Sequence, residues 1–284
     1  MPELPEVETI KRALTLGGRG GESVLGCQII QADVLWPRTL QTPDIKTFKS
    51  RIEGQVIQSI SRRAKYLLLH LDQDTMLMHL RMSGDVRVDA LQNPSLALQK
   101  HDRLVLWFAN QRRLVFNNPR KFGRVWLVSD PEDVLSELGP EPLDPDFTAD
   151  QFYANLKRHK RQLKALLLDQ HFLAGLGNIY TDEALFLAGL NPTMNTQYLK
   201  YEQGKRLFES IRTVLETGIR RNGASIDWVY RGGQFQNEFK VYGRRGKACY
   251  VCGSTIERII VGQRGTHFCP ECQNTRDTTL SMEE

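Results

Sequence analysis

Residue 2 of this chain is a proline, and residues 3, 6 and 8 are glutamates. Once Met1 is removed, Pro2 presents a secondary amine at a free terminus. Such an amine can attack an electrophilic carbon, and the iminium it forms carries a fixed positive charge that draws electrons from neighbouring bonds. An α-amino group titrates near about 8, so a neutral, nucleophilic fraction exists at neutral pH. Glu3, adjacent in the chain, can give or take the proton that this attack requires. The same octet also reads as an ordinary helix start. Pro5 suits a first helical turn, Glu6 and Glu8 suit its positive end, and Val7, Ile10, Ala13 and Leu14 make an apolar stripe.

A second kind of chemistry is written in the cysteines. Cys249 and Cys252 form one C-x2-C pair and Cys269 and Cys272 another, with sixteen residues between the pairs. That is the spacing of a four-thiolate zinc ribbon, and four protein ligands leave no position open for water, so the zinc is expected to be structural. The segment between suits a β-hairpin, with residues 255–261 as one strand and residues 262–265 at the tip. Arg264 is then either presented by the hairpin or simply a loop arginine in solvent. Cys27 stands apart and reads as a small buried residue of a strand.

Three further groups could grip a polyanion. Arg112, Arg113, Arg120, Lys121 and Arg124 form one basic cluster, and Lys157, Arg158, Lys160, Arg161 and Lys164 form another. Each is either a solvated face or a phosphate-binding surface. The run Gly175-Leu176-Gly177-Asn178 places Asn178 at the start of a helix, where free N–H groups and the helix dipole favour an anion; asparagine there also has a purely structural use. The turn from Asn117 to Gly123 sets Arg120 and Phe122 two positions apart. Phe122 could enter a base stack and Arg120 could pair with a base edge, as a base-flipping enzyme requires, or the aromatic could pack beneath a surface loop. His79 to Gly84 offers a second apolar wedge in Met82.

These residues need a scaffold, and the chain has material for two or three compact units: 284 residues, 40% of them apolar, with net charge +5. Residues 24–128 hold short β-rich runs at 24–34, 55–61, 66–71, 75–80, 85–88, 104–109, 113–116 and 124–128, which predict an antiparallel sandwich or barrel. Helical pattern is confined there to about 3–16 and 44–51. Residues 17–21, four glycines around Arg19, read as a flexible connector. Residues 139–150 carry three prolines and four acids and read as a linker. Helices are then expected at about 151–168, 178–189 and 198–221. With neither a leader pattern nor an apolar run near 18 residues, a cytoplasmic protein is expected.

Taken in order, the octet, Arg63-Ala64-Lys65-Tyr66-Leu67, His79 to Gly84, Pro119 to Gly123, Gly175 to Tyr180 and the cysteine quartet resemble the formamidopyrimidine-DNA glycosylase family, a group that also contains endonuclease VIII. The resemblance covers essentially all of residues 1–275. It implies a multidomain α+β chain: a catalytic β-sandwich over 1–134 with an N-terminal helix, a linker over 135–150, a helix-two-turn-helix domain over 151–222, a lesion-covering loop over 223–240, a four-cysteine zinc finger over 241–275 and a tail over 276–284. The partner it implies is double-stranded DNA containing oxidised bases, held between the domains, with no membrane and a monomeric protein; the cofactor is one zinc ion.

The resemblance also assigns roles. Pro2 is the nucleophile at C1′, Glu3 a proton donor, Glu6 a supporting residue, Lys65 the donor for β-elimination and Arg264 the donor for δ-elimination. His79, His101, Arg120, Lys160, Arg161, Asn178 and Tyr242 are DNA contacts, with Met82, Arg120 and Phe122 filling the gap left by a flipped base. The implied activity is a bifunctional glycosylase and abasic-site lyase acting on 8-oxoguanine and formamidopyrimidines. An endonuclease VIII-like preference for oxidised pyrimidines, or a non-catalytic DNA-binding protein, are the alternatives. Two departures stand out: position 118 is Asn where the family often has Asp, and the loop at 223–239 is short.

Overall fold

The computed structural model describes residues 1–91, 97–226, 230 and 232–274. The chain divides into two compact units, Met1–Glu137 with Asn222–Gly233, and Leu138–Arg221 with Gln234–Glu284.

The first unit opens with helix α1 (Leu4–Leu16) and continues through β1 (Ile29–Val34), β2 (Leu40–Thr42), α2 (Ile45–Ile52), β3 (Ser59–Arg63), β4 (Tyr66–His70), β5 (Thr75–His79), β6 (Asp85–Ala90), β7 (Asp102–Phe108), β8 (Arg112–Asn117), β9 (Arg124–Val128) and α3 (Glu132–Leu135). One sheet has the order β1-β7-β8-β6 and is antiparallel; the other has the order β2-β9-β5-β4-β3. The expected antiparallel sandwich forms with one exception: the short edge strand β2 runs parallel to β9. The two sheets share a core because their alternate residues face inward. Leu67 and Leu69, Met76 and Met78, Leu104 and Leu106, Leu114 and Phe116, and Val125 and Leu127 lie in one apolar cluster. Helix α1 adds Val7, Ile10 and Leu14 to it, one stripe of a 3.6-residue repeat.

The glycine-rich stretch at 17–21 is not the flexible connector that its composition predicts. Gly18 and Gly21 exchange backbone hydrogen bonds of 2.8 and 3.0 Å, and Arg19 at its apex grips Asp85 with two bonds of 2.9 and 3.0 Å. Glycine supplies the positive φ values such a turn needs, and a distant carboxylate supplies the anchor that composition cannot show.

The second unit contains α4 (Ala149–Lys157), α5 (Leu163–Leu167), α6 (Asn178–Leu187), α7 (Tyr201–Arg220), and a hairpin of β10 (Glu257–Val261) and β11 (Arg264–Phe268). Where one helix is expected over 151–168, two form. Thr148 caps the first through a reciprocal box with Gln151. The backbone then leaves the helix because residues 159–163 bond elsewhere: the Thr196 hydroxyl donates to the His159 carbonyl at 2.5 Å and Leu163 N–H to Met194 O at 2.8 Å. The proline-rich stretch is packed rather than loose. Gly139 N–H donates to Gln170 O at 2.9 Å, Pro140 O accepts from Ala174 at 2.9 Å, and Phe147 is buried.

Among the described residues no helix is long and apolar enough to cross a membrane.

Candidate functional site

Pro2, Glu3 and Glu6 are all buried in the first unit, with both glutamates about 2% exposed. Glu3 is the N-cap of α1 and pairs with Glu6 in a capping box. Glu6 uses both oxygens: Oε2 accepts from Glu3 N–H at 2.7 Å and Oε1 from Ala224 N–H at 2.7 Å. The second bond reaches across 218 residues, from the start of α1 to the segment that follows α7. Gly223 is required there. Its φ is +76°, and a Cβ on it would lie 2.6 Å from Glu6 Oε1. Helix start and buried acid pair beside Pro2 are therefore one construction rather than two competing ones.

Glu8, on the same helix, works outward. Burial alone would raise its carboxyl, but Lys11 at 2.8 Å, Arg62 at 3.2 Å and Arg12 at 3.0 Å hold it below the usual carboxylate range. Arg62 also donates to Ala64 O at 3.0 Å, which ties α1 to the β3–β4 turn. That turn is Ala64-Lys65, with Ala64 at φ +52°, and it tucks the Lys65 side chain to about 5% exposure. His79 closes the neighbouring strand β5, only about 7% exposed. Its ring meets Tyr66 edge-on at 4.7 Å, and its Nδ1 accepts the Arg81 N–H at 3.0 Å. Burial, reinforced by the charges of Arg81 and Lys65, lowers its pKa to about 3. His79 is thus a neutral imidazole that shapes the turn carrying Met82.

The two wedge loops converge on Asn118. Its Nδ2 donates to Leu80 O at 3.2 Å, its own carbonyl accepts from Arg103 Nε at 2.9 Å, and its N–H donates to His101 O at 2.8 Å. An aspartate could not make the first of these bonds, so the family departure at this position changes how the loops are braced. Arg120 N–H donates to Ser83 Oγ at 3.3 Å, a second link between the loops. Arg120 is exposed, Phe122 is 55% exposed, Met82 and His101 are half-buried, and Lys121 sits 3.9 Å from the centre of the Trp36 ring. The Phe122 ring therefore stands half in water at the end of a braced loop. The rest of this basic cluster has internal uses: Arg113 is buried against Asp89 at 2.9 Å, and Arg124 bonds the carbonyls of Lys121 and Gly123.

In the second unit the basic cluster also divides. Lys164 is fully buried, donating to Asp182 Oδ1 at 2.5 Å and to Gly265 O at 3.1 Å. Lys157 donates to the carbonyls of Gln197 and Leu199, and Arg161 pairs with Asp169 at 2.7 Å. Arg158 and Lys160 are exposed. Asn178 is the first residue of α6, and its Nδ2 donates to Gly265 O at 3.0 Å. The carbonyl next to Arg264 is therefore held by two side chains at once. Arg264 itself opens β11 rather than sitting at the loop tip, and it is exposed.

Two acids of α6, which sequence reading passed over, organise this face. Asp182 Oδ2 accepts the His267 N–H at 2.9 Å. Glu183 accepts from Lys240, Val241 and Tyr242 N–H at 2.8, 3.0 and 2.8 Å, which fixes Tyr242 against His267 with ring centres 5.1 Å apart. Burial pushes the Glu183 carboxyl up, against the pull of those three donors. The signal available in sequence was two adjacent acids inside an otherwise apolar helix.

The four cysteine sulfurs lie within 4.8 Å of one another, Cys249 to Cys272 at 3.9 Å and Cys252 to Cys269 at 3.4 Å. A tetrahedral zinc with bonds of about 2.3 Å needs sulfurs roughly 3.8 Å apart. The N–H groups of Val251 and Cys272 point at the Cys249 and Cys269 sulfurs at 3.4 Å, as they should toward thiolates. These residues fit one structural zinc ion. Asp227, Trp228, Val229 and Arg231 of the short loop, and the tail at 276–284, lie outside the described residues.

Known proteins match along the whole chain. Residues 1–125 match the formamidopyrimidine-DNA glycosylase N-terminal domain, residues 138–229 its H2TH domain, and residues 246–275 the zinc finger found in FPG and IleRS. The formamidopyrimidine-DNA glycosylase of Chloroflexus aurantiacus is 45% identical over 286 residues, covering 97% of this chain and 98% of that protein. That of Herpetosiphon aurantiacus is 42% identical over 282 residues, covering 96% and 100%. Among solved structures, wild-type Lactococcus lactis Fpg (MutM) bound to DNA containing N7-benzyl-Fapy-dG superposes with a TM-score of 0.88 at 38% identity, over 96% of this chain and 100% of that one. The same enzyme bound to DNA with an abasic site gives the same values. On its sequence, its fold and its zinc-binding cysteines, this chain belongs to the formamidopyrimidine-DNA glycosylase family, the DNA glycosylases of base excision repair.

Proposed function

We propose that the chain excises oxidised purines, 8-oxoguanine and formamidopyrimidines, from double-stranded DNA and then nicks the strand by β,δ-elimination, acting as a monomer in the cytoplasm. The observation that carries this reading is the buried Pro2-Glu3-Glu6 start, which invests two desolvated carboxylates beside a residue whose value lies in its amine.

The Pro2 nitrogen attacks C1′ as the bond from C1′ to the base breaks and the base leaves with the amine's proton; Glu3 then protonates O4′, the C1′–O4′ bond opens and the nitrogen lone pair closes the iminium. The resulting iminium acidifies the C2′ hydrogen, so loss of that proton expels the 3′ phosphate, with Lys65 as the proton donor. A second elimination releases the 5′ phosphate, with Arg264 as the donor. No step needs a metal, which leaves the zinc to hold the hairpin that carries Arg264. His101, Arg120, Lys160, Arg161, Asn178 and Tyr242 would hold the DNA, with His79 shaping the turn of Met82; Met82, Arg120 and Phe122 would fill the space of the extruded nucleotide. The exposed Phe122 on its braced loop supports this, as does the paired hold on Gly265 O beside Arg264. The sandwich with its N-terminal helix, the helical domain and the zinc finger would each carry one share of this task, over the boundaries set out above.

Borohydride reduction of the protein on an 8-oxoguanine duplex, with removal of Met1 established by mass, is expected to leave DNA covalently attached to the N-terminal peptide at Pro2. No adduct on any oxidised base or abasic site, or an adduct at another residue, would overturn the reading.

A further inference from the structure

The segment Asn222–Gly233 follows helix α7 of the second unit, yet it packs as part of the first. Its near end is fastened to the N-terminal site: Ala224 N–H donates to Glu6 and Gly223 lies flat against the Glu6 carboxylate. Its far end is fastened to itself. The Tyr230 hydroxyl donates to Asn222 O at 2.6 Å, and Gly233 N–H donates to Ser225 Oγ at 2.9 Å. Tyr230 is the keystone of this closure, about 3% exposed, with its ring in the core shared by α1 and both sheets.

What seats Tyr230 is the glycine-rich turn after α1. Arg19 places its guanidinium 4.8 Å from the centre of the Tyr230 ring. The same guanidinium is locked from the other side by its two bonds to Asp85 and by a contact of 3.4 Å with Val86 O. Arg19 is in the left-handed region, φ +53°, between glycines that let the turn present it. A chain of contacts thus runs from Asp85 through Arg19 and Tyr230 to Asn222, and from there through Gly223 and Ala224 to Glu6 beside Pro2.

We propose that Arg19 is a positioning residue for base release: by seating Tyr230, it sets where the 222–226 backbone lies against Glu6, and hence how a damaged base is held for attack at C1′. This deepens the reading above and rests on it. Nicking of a preformed abasic site has no base to hold, so it does not depend on this contact chain.

The test measures kcat/KM for 8-oxoguanine release and, separately, for nicking of an abasic site, in wild type, Arg19→Ala, Arg19→Lys and Tyr230→Phe. Misplacing a reacting group by a fraction of an ångström is expected to lower base release roughly tenfold in Arg19→Ala, with abasic nicking within about twofold of wild type. Arg19→Lys keeps a cation over the ring and recovers most of the loss; Tyr230→Phe keeps the ring but loses the bond to Asn222 O and falls between. If both activities fall together, or neither changes, the proposal is overturned. If the wild type shows neither activity on either DNA, the underlying functional reading fails instead.

Discussion

His79 illustrates how a residue with an obvious solution chemistry loses it on folding. Its Nδ1 already accepts the Arg81 N–H, so protonation would cost that bond as well as burying a charge beside Lys65 and Arg81. Above about pH 6.5 the imidazole is neutral both folded and unfolded. As pH falls from there toward about 3, the unfolded chain takes up a proton that the folded one refuses, so the stability this neutral histidine contributes is progressively lost. The slope is about 1.4 kcal/mol per pH unit. Between pH 7 and pH 5, wild type should therefore lose about 2 kcal/mol more stability than His79→Gln, read from urea unfolding at each pH. Equal losses would mean that His79 is protonated in the native state. At this scale much of the candidate site was legible in the sequence, because Pro2, Glu3, Arg120, Phe122 and the cysteines announce themselves by type and spacing. Arg19 and Tyr230 did not, since their value comes from meeting each other from nearly opposite ends of the chain. Asn118 stood out as a departure, but its partner did not: the amide bond to Leu80 O joins two loops that are separate in the chain.

Elements show the same division. Every strand of the sandwich except β2 was legible as a short β-rich run between turns, and β4, β5, β7 and β8 are buried along most of their length. The helix expected over 151–168 was not legible as two, because Thr196 and Met194 claim the backbone groups that would have continued it. The link between α5, α6 and β11 is the least visible from sequence, where Lys164 looked like one more solvated base. It is a fully buried ion pair with Asp182, and it also holds Gly265 O. Removing one partner of such a pair leaves the other charge uncompensated, so Lys164→Ala should destabilise the second unit by about 3–5 kcal/mol. Hydrogen exchange can check this: the amides of α6 and β11 should lose protection, while those of β4 and β5 in the first unit keep theirs. Unchanged exchange in α6 and β11 would show that the pair is energetically neutral.

Across the whole molecule, the metal should act on one unit only. Structural zinc supplies folding free energy to the small domain that binds it. Chelation is expected to unravel the β10–β11 hairpin and abolish nicking, while the emission of Trp36, Trp107 and Trp126, all in the first unit, stays that of the folded protein. Nicking that survives verified zinc removal would separate the hairpin from the reaction.

Because Asn222–Gly233 belongs to the first unit, that unit is not finished when its sheets are. On the ribosome, both sandwich sheets emerge long before Ala224 and Tyr230 do. Until then Glu6 lacks the N–H that satisfies its Oε1, and the core lacks the ring that Arg19 covers. The nascent protein therefore carries Pro2 and its acids in an incomplete setting while α4 to α7 are synthesised, and the N-terminal site is closed only by the segment that follows α7.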